Sequence, residues 1–429
     1  LKEANGDDVA QESDVKRIVA LAAFAEKTWP NDGPTDAIRH VLSFYQANRD
    51  KDYEAAWKTH SRISSGYSDV YQARREMAAA MFYLIRPEEK DPKKYRDTLT
   101  ANITKRAADF RATLAALEAL QEPPATSPAY QAEAWAGAKT MQAQLYYMNG
   151  DYDKVDAVVK STVEGLMKLD SLEAKKNDLA YTIRGLKYNS LQGRAADFIR
   201  AKEFAKVGEV LAPELDALKK EMKAPPPEET PGFTRMRIAQ RSFLISAMSA
   251  FVQNKQVDQA SEMLDALQAS GGSLEQNVAT MRSLNTTIQG QIETLTKEGK
   301  KADAAELATS FTEFLDKIKG DDVSKLPNGV ILFLGQGYGA VNQNAKATEL
   351  FDQLLKKPFE PNPKDPDAAA KHATFIRQME YLQARAYRQA GVQGGGKPDF
   401  DKAAALMKKV VGDPIAPKSK PVPQGWGYR

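Results

Sequence analysis

The stretch from Asn328 to Pro358 constrains the fold most, because its apolar residues recur at the spacing of two consecutive helices. The first block carries Ile331, Leu334, Gly335 and Tyr338, and the second carries Ala347, Phe351 and Leu354. Small residues such as Gly335 and Ala347 allow two antiparallel helices to approach closely, while the larger ones fill the space around the contact. Pro358 would end the second helix. The stretch therefore predicts a helical hairpin.

The same arrangement recurs along the chain. Residues 131–148 predict a first helix, residues 149–154 a turn, and residues 155–169 a second helix. Gly150 suits the left-handed conformation that commonly closes a helix. Further copies place a small residue near the start of the second helix, at Ala260, Ala304, Ala347 and Ala403. These alanines are 44, 43 and 56 residues apart, and the last interval contains a glycine-rich insert.

The hairpin pattern resembles a known family. Leu334-Gly335-x-x-Tyr338, followed by Ala347-x-x-x-Phe351 and Pro358, is similar to the tetratricopeptide repeat (TPR) pattern W-x-x-L-G-x-x-Y…A-x-x-x-F…P. The resemblance implies an array of helical hairpins in which each hairpin packs on its neighbours. The intervals between copies exceed the 34 residues of the standard repeat, so we expect longer hairpins, closer in length to HEAT repeats.

These patterns predict the fold class and its division. No stretch alternates apolar and polar residues with a period of two, so no sheet is expected. We expect an all-α protein, an α-solenoid of about eight TPR-like helical hairpins. Three consecutive prolines, which cannot be helical, mark a Pro-rich loop or linker at 224–232 between an N-terminal helical-repeat half (1–223) and a C-terminal TPR-like half (233–414). A Pro-rich tail (415–429) follows. A long loop between repeats is the alternative interpretation of 224–232.

Charge and cysteine content exclude several classes of protein. Lys and Arg number 60 against 57 Asp and Glu, for a net charge of +3, which does not favour a nucleic-acid or membrane-surface binder. The apolar runs are too short to span a membrane. The absence of cysteine excludes disulfides, thiolate metal sites and cysteine nucleophiles. It also favours an exported or cell-envelope protein, because a free thiol is a liability in an oxidising compartment.

The N-terminal helical pattern has no partner. Residues 14–28 predict a single helix that resembles the second helix of a hairpin whose first helix is missing. Two interpretations remain open, a fragment cut from a longer array or a lone capping helix.

Two glycine-rich stretches have the letters of nucleotide-binding loops without the expected context. Residues 391–397 fit G-x-x-x-x-G-K, but a phosphate loop follows a strand and carries Ser or Thr after the lysine, whereas here a predicted helix precedes and Pro398 follows. Gly335-x-Gly337-x-Gly339 lacks the strand and the third correctly spaced glycine of a dinucleotide loop. We interpret the first as a loop within the last hairpin and the second as a site of close helix packing.

No catalytic or metal-binding constellation is apparent, so we expect a non-enzymatic protein with no cofactor. The histidines are His40, His60 and His372, and none has metal-ligand spacing. Because distant hairpins of a solenoid do not touch, a shared metal site is not expected. The tryptophans at 29, 57 and 135 have helical spacing and are predicted to lie in the core, whereas Trp426 lies in the tail.

The surface of the array is the remaining candidate for function. In TPR-like arrays the first helix of each hairpin lines the concave face, so the resemblance implies a groove lined by first-helix residues that point away from the second helix. These residues are Gln144, Tyr147, Ser249, Gln253, Glu293, Lys297, Gln336, Arg385 and Arg388. Such a groove suits an extended peptide, with Arg385 and Arg388 holding a carboxylate. The alternative is a solvated face with no ligand.

Three functional hypotheses follow. The first is a scaffold or adaptor that binds segments of a protein or peptide partner of unknown identity on its concave face. The second is the solenoid portion of a larger coat-like or envelope-associated protein, suggested by the unpaired first helix and the tail. The third is a glycan-binding repeat protein that uses Trp and Tyr side chains as platforms.

Overall fold

The computed structural model describes residues 8–30, 32–89, 91–223, 229–269, 274–357 and 367–411. These residues form 19 α-helices and no strand, so the prediction of an all-α protein is confirmed. None of these helices is long and apolar enough to cross a membrane. The predicted linker prolines 225–227, Pro358, the tail at 415–429 and Trp426 lie outside the described residues.

The chain divides into two compact units. The first comprises Leu1–Arg194 and Glu228–Gln240, and the second comprises Ala195–Pro227 and Arg241–Arg429. The prediction that 224–232 separates two repeat halves stays a prediction.

The helices are short to medium in length and are numbered here in chain order. The first nine are α1 (Asp8–Thr28), α2 (Gly33–Asn48), α3 (Tyr53–His60), α4 (Val70–Ile85), α5 (Pro92–Lys105), α6 (Ala107–Glu118), α7 (Ala129–Asn149), α8 (Tyr152–Met167) and α9 (Glu173–Arg200). The others are α10 (Phe204–Val210), α11 (Ala212–Lys223), α12 (Pro231–Gln253), α13 (Val257–Ala269), α14 (Leu274–Lys297), α15 (Lys301–Lys319), α16 (Asn328–Ala340), α17 (Asn344–Lys356), α18 (Ala368–Ala390) and α19 (Lys397–Val411).

In the first unit, helices pack on helices close to them in sequence, α1 on α2, α2 on α3, α3 on α4, and α4 and α8 on α7. The core between them includes Trp57 and Trp135, as predicted. The same prediction is wrong for Trp29, which is 51% exposed and packs edge-on against Phe24. Helical spacing alone does not reveal whether a further helix covers a given face.

In the second unit, α14 packs on α15 and α16, α16 on α17, α17 on α18, and α18 on α19. Phe311, Phe314 and Phe333 are fully buried where α15 meets α16, and the rings of Phe314 and Phe333 meet edge-on. Each helix buries one face against its neighbours, because its apolar residues recur at helical spacing.

One turn is repeated five times between consecutive helices. Near the end of the first helix, the carbonyl of a buried or half-buried residue accepts a hydrogen bond from the backbone N–H five residues later. The donor and acceptor residues are Asp151 and Tyr146, Glu203 and Phe198, Gln256 and Phe251, Lys300 and Leu295, and Gln343 and Tyr338. The intervening left-handed residues are Gly150, Lys202, Lys255, Gly299 and Asn342. This geometry is the Schellman motif, which satisfies carbonyls at the end of a helix. The five turns show that one local geometry recurs between consecutive helices.

A second feature repeats with the turn. A lysine near the start of the second helix lies over an aromatic ring near the end of the first, Lys154 over Tyr146 at 5.0 Å, Lys206 over Phe198 at 5.9 Å and Lys346 over Tyr338 at 5.1 Å. In each of these pairs the lysine follows the aromatic residue by eight positions. Lys402 lies over Tyr387 at 5.0 Å across the glycine-rich insert. Such cation–π contacts stabilise the closed turn modestly.

Two helical stretches are interrupted by a single residue. Arg106 separates α5 from α6, and Leu211 separates α10 from α11. Pro213 lies in the first turn of α11, where its missing N–H costs nothing and where it favours a new helix start. No proline accompanies the break at Arg106.

Candidate functional site

An open cleft of about 700 Å³ lies within the second unit and is lined mainly by α14, α16 and α18. These are the first helices of three consecutive hairpins. The α14 side of the cleft is a polar stripe at helical spacing, from Arg282 through Asn285, Gln289 and Glu293 to Lys297. The stripe covers 15 helical steps, or roughly 22 Å. The cleft is therefore elongated along the helices.

Two glycines of α16 allow the neighbouring helices α15 and α17 to pack closely against it. A Cβ atom on Gly335 would lie 2.7 Å from Phe351 of α17, and one on Gly337 would lie 2.9 Å from Leu315 of α15. Both distances are too short for a real side chain, so glycine at these positions is a packing requirement. This confirms the predicted close packing at Gly335 and Gly337.

Gly339 differs from the other two glycines. A Cβ atom there would meet nothing within 4 Å, and the residue lines the cleft. Packing therefore does not require glycine at this position, where the missing side chain leaves the floor of the cleft open. Glycine in a helix interior costs about 1 kcal/mol relative to alanine. The open floor comes at a cost in helix stability.

The lining of the cleft carries more positive than negative charge. Arg282, Lys297 and Arg385 contribute three cations, and Glu293 contributes the carboxylate among the lining residues. None of the three cations forms an ion pair with another described residue. Glu293 accepts a hydrogen bond from Gln289 at 3.0 Å. The excess charge favours a ligand with an acidic group.

Two polar atoms at the floor of the cleft have no hydrogen-bond partner among the described residues. Asn285 is 5% exposed, and its Nδ2 donates to the Phe333 carbonyl at 3.0 Å while its Oδ1 is unpaired. The buried Nε of Arg282 is also unpaired. A buried polar group without a partner costs about 1–3 kcal/mol. An acceptor and a donor on residues of the cleft lining are thus buried on α14 without a partner among the described residues.

The structure brings together four of the nine predicted groove residues, Glu293, Lys297, Gln336 and Arg385, in this cleft. Arg388 is exposed on the same helix as Arg385 but does not line the cleft. Ser249 is buried, and the half-buried Gln253 donates to its Oγ at 3.2 Å. Gln144 and Tyr147 belong to the first unit.

Sequence reasoning missed Arg282 and Asn285. Both lie on the stripe of α14 that continues three and four residues at a time to Gln289 and Glu293. Extending the polar stripe backwards from Glu293 would have found them. Arg385 and Arg388 were both selected as first-helix residues that point away from the second helix, whereas the fold places only Arg385 with Arg282 in one lining.

The glycine-rich insert lies next to the cleft and does not have the structure of a phosphate loop. Residues Gly391–Gly395 form a π-helical turn between α18 and α19, with no strand before it. Gly394 and Gly396 have positive φ angles, which glycine adopts readily. Asn344, a residue of the cleft lining, donates through Nδ2 to Gln393 Oε1 at 2.8 Å. The insert thus contacts the rim of the cleft.

The first unit contains a separate buried polar cluster that joins two of the histidines. The expectation that the histidines stay apart is wrong for His40 and His60, whose ring centroids are 5.9 Å apart. Glu76 lies between them, with Oε2 3.2 Å from His40 Nε2 and 3.6 Å from His60 Nε2. α3 packs on both α2 and α4, which brings His60 at its end close to His40 of α2 and Glu76 of α4. His372 lies in the second unit, against Phe375.

The two histidines of this cluster have opposite pKa shifts. Burial lowers the pKa of His60 to about 4, because a charged imidazole there would lose its hydration. The pKa of His40 is raised, because the attraction of Glu76 and Asp69 outweighs the opposing effect of burial. The pKa of Glu76 is lowered, since its contacts with His40 and Gln72 outweigh burial. No group of three or more His, Asp or Glu side chains in the described part of the chain is arranged to hold a metal ion.

No protein-family model matches the chain, and no curated protein is detectably similar to it.

Proposed function

We propose that this protein is a non-enzymatic scaffold whose second unit binds an extended, acidic segment of a partner protein in the cleft between α14, α16 and α18. The proposal includes a TPR-like stacking of helical hairpins into a solenoid. The five repeated Schellman turns and the packing of consecutive helices within α1–α4 and within α14–α19 support that stacking.

The single observation that carries the binding proposal is the convergence of Glu293, Lys297, Gln336 and Arg385 on one cleft with an open glycine floor. They come from three different helices. A volume of about 700 Å³ is within the range of ligand sites in proteins. The cleft is therefore large enough to enclose several residues of a partner.

The chemistry of the lining favours a peptide over a small apolar ligand. Asn and Gln side chains present a donor and an acceptor, which match the N–H and C=O groups of an extended backbone. Six extended residues span roughly 20 Å, about the length of the polar stripe on α14. Arg282 and Arg385 are suited to a carboxylate, because a guanidinium can donate two parallel hydrogen bonds to it.

Selection from a random peptide library displayed on phage tests the proposal. We expect the wild-type protein to enrich sequences rich in Asp and Glu. The variant Arg282→Glu plus Arg385→Glu should lose these sequences, because its lining repels carboxylates. The control Arg388→Glu changes the same charge on α18 outside the cleft and should retain them. If no sequence is enriched, or if both variants bind the enriched peptides equally, the cleft is not the binding site.

A further inference from the structure

We propose that His40, Glu76 and His60 form a buried binding site for one proton, and that α2, α3 and α4 stay fully packed only while the site holds it. Glu76 of α4 places Oε2 3.2 Å from His40 Nε2 of α2 and 3.6 Å from His60 Nε2 at the end of α3. Its other oxygen accepts from Gln72 Nε2 at 2.6 Å. Oε2 therefore depends on an imidazole nitrogen for a donor.

The surroundings of the two imidazoles decide which one holds the proton. His40 Nδ1 lies 3.3 Å from the Tyr67 hydroxyl and 3.9 Å from Asp69 Oδ2, so His40 faces two carboxylates. Its side chain is 14% exposed, so a charged ring keeps some hydration. These features place the proton on His40, in an ion pair with Glu76.

The surroundings of the His60 imidazole favour its neutral form. Its side chain is 1% exposed, and its Nδ1 lies 3.2 Å from Ser43 Oγ. The Arg74 guanidinium donates to the His60 carbonyl at 3.3 Å and to the Ile63 carbonyl at 2.7 Å, which puts a positive charge beside the ring. Glu76 is the one described carboxylate within ion-pair distance of His60. A second proton on His60 would therefore be a buried charge beside Arg74.

The other charged groups around the cluster already have partners. Asp36 of α2 pairs with Arg39 at 2.9 Å and accepts from the Ser64 N–H at 3.1 Å. Arg39 also pairs with Glu26 of α1 at 3.2 Å, and Glu26 pairs with Arg62 at 2.7 Å. None of these groups is available to compensate a change in charge at His40, Glu76 or His60. The proton count at the three residues is thus coupled to the packing of the helices that carry them.

Gain or loss of a proton disturbs the cluster in different ways. A second proton gives two imidazolium rings that share Glu76, and the buried ring of His60 then carries a charge beside Arg74. Loss of the single proton makes the His40 ring neutral. The buried, negatively charged Glu76 Oε2 then has no positively charged N–H donor. Both states are disfavoured, because a buried charge must be paired. Packing of α2, α3 and α4 should consequently weaken on either side of a pH window.

Selective isotope labelling of the imidazole rings tests the proposal directly, since the chain has 3 histidines. In the full chain, titrated by NMR, we expect His60 to stay neutral down to about pH 4 and His40 to titrate above the ordinary range. The variant His372→Gln assigns the third resonance without touching the cluster. Hydrogen exchange should show protection of α2–α4 falling by about tenfold or more between pH 6 and 4, with a smaller change in α16–α18.

The variant Glu76→Gln provides the decisive comparison. Glutamine keeps the shape of the side chain and removes the charge that holds the proton. We expect His40 to titrate at a lower pH in this variant and the exchange protection of α2–α4 to depend less on pH. The proposal is overturned if His40 and His60 titrate together near pH 6.5 in the wild-type protein. It is equally overturned if Glu76→Gln leaves the titration of His40 unchanged.

Discussion

The Lys346 ammonium lies 5.1 Å from the centre of the Tyr338 ring, and both side chains bind the same carboxylate, Asp316. The Tyr338 hydroxyl donates to Asp316 at 2.6 Å and Lys346 donates at 2.7 Å. The three residues link α15, α16 and α17. In the first unit, Tyr146 donates to Glu118 of α6 while Lys154 of α8 lies over its ring. In both units, a tyrosine thus donates to a carboxylate of the helix before it and lies under a lysine of the helix after it.

Removing the hydroxyl of Tyr338 should destabilise the second unit. We expect Tyr338→Phe to lower the free energy of unfolding by about 1 kcal/mol, because the mostly buried hydroxyl loses its bond to Asp316. Urea denaturation measures the change. Tyr83→Phe is the control, since the Tyr83 side chain is 49% exposed and should change stability little. Equal effects in both variants would show that the Tyr338–Asp316 bond contributes nothing to stability.

The backbone of Lys202, in the turn between α9 and α10, should be strained. Lys202 has a φ of 61°, a conformation that is unfavourable for residues with a Cβ atom. We expect Lys202→Gly to stabilise the protein by about 1 kcal/mol. At the equivalent position of another turn, Gly150 has a φ of 83°, so Gly150→Ala should destabilise. Thermal unfolding distinguishes the two directions, and a loss of stability in Lys202→Gly would contradict the strain.

A larger side chain at position 339 should weaken peptide binding without lowering the stability of the protein. Leucine at position 339 meets no neighbouring atom at its Cβ and extends into the cleft, so Gly339→Leu should bind enriched acidic peptides at least about tenfold more weakly. Its stability should rise by up to about 1 kcal/mol, because leucine favours a helix more than glycine does. Isothermal titration with one peptide and urea denaturation provide the two measurements.

Gly335→Ala is the matched comparison on the same helix. Its Cβ atom would lie 2.7 Å from Phe351, so we expect a loss of about 1–3 kcal/mol in stability from overpacking. A Gly339→Leu variant that is as unstable as Gly335→Ala would show that position 339 is also packed. A Gly339→Leu variant that binds peptide normally would show that the ligand does not reach the floor.

Stability of the first unit should depend on pH at both ends of a window. The pKa of His60 is lowered to about 4 in the folded protein, so its contribution is present above pH 6.5 and is lost as the pH falls to about 4. The full loss is about 3 kcal/mol. The pKa of His40 is raised, so its contribution is present below pH 6.5 and is lost as the pH rises through the folded pKa.

Urea denaturation between pH 4 and 9 should therefore give a maximum of stability for α2–α4 near pH 6.5, where the acid and alkaline decreases meet. The variant His40→Gln should lose the decrease on the alkaline side and keep the decrease on the acid side. An unchanged alkaline limb in that variant would assign the decrease to another group.

Sequence periodicity predicted much of the fold because a helix that buries one face must repeat its apolar residues every three or four positions. It placed α16 and α17 on either side of a turn and identified Gly335 as a contact point, which the approach of Phe351 confirms. It was wrong for Trp29, since exposure depends on whether another helix covers the face. The left-handed conformation of Lys202 and Lys255 was not predicted, because glycine is the residue that normally signals it.

The candidate cleft was only partly predictable. The first-helix pattern named Glu293, Lys297, Gln336 and Arg385, which the fold brings to one lining. It did not identify Arg282 as the second arginine of that lining, because the two arginines are joined only through the packing of α14, α16 and α18.

The sequence by itself determined that the chain forms helices in pairs, since helical periodicity and turn residues act over a few neighbouring positions. Tertiary structure alone decided which side chains meet across helices, and so created both the cleft at Gly339 and the contact of His40 with His60 through Glu76. The physical reason is that helical periodicity depends on residues close together in the sequence, whereas contacts between helices join residues far apart in it. A helix specifies which of its faces is buried, but the neighbours that it buries against depend on the packing of all the helices around it.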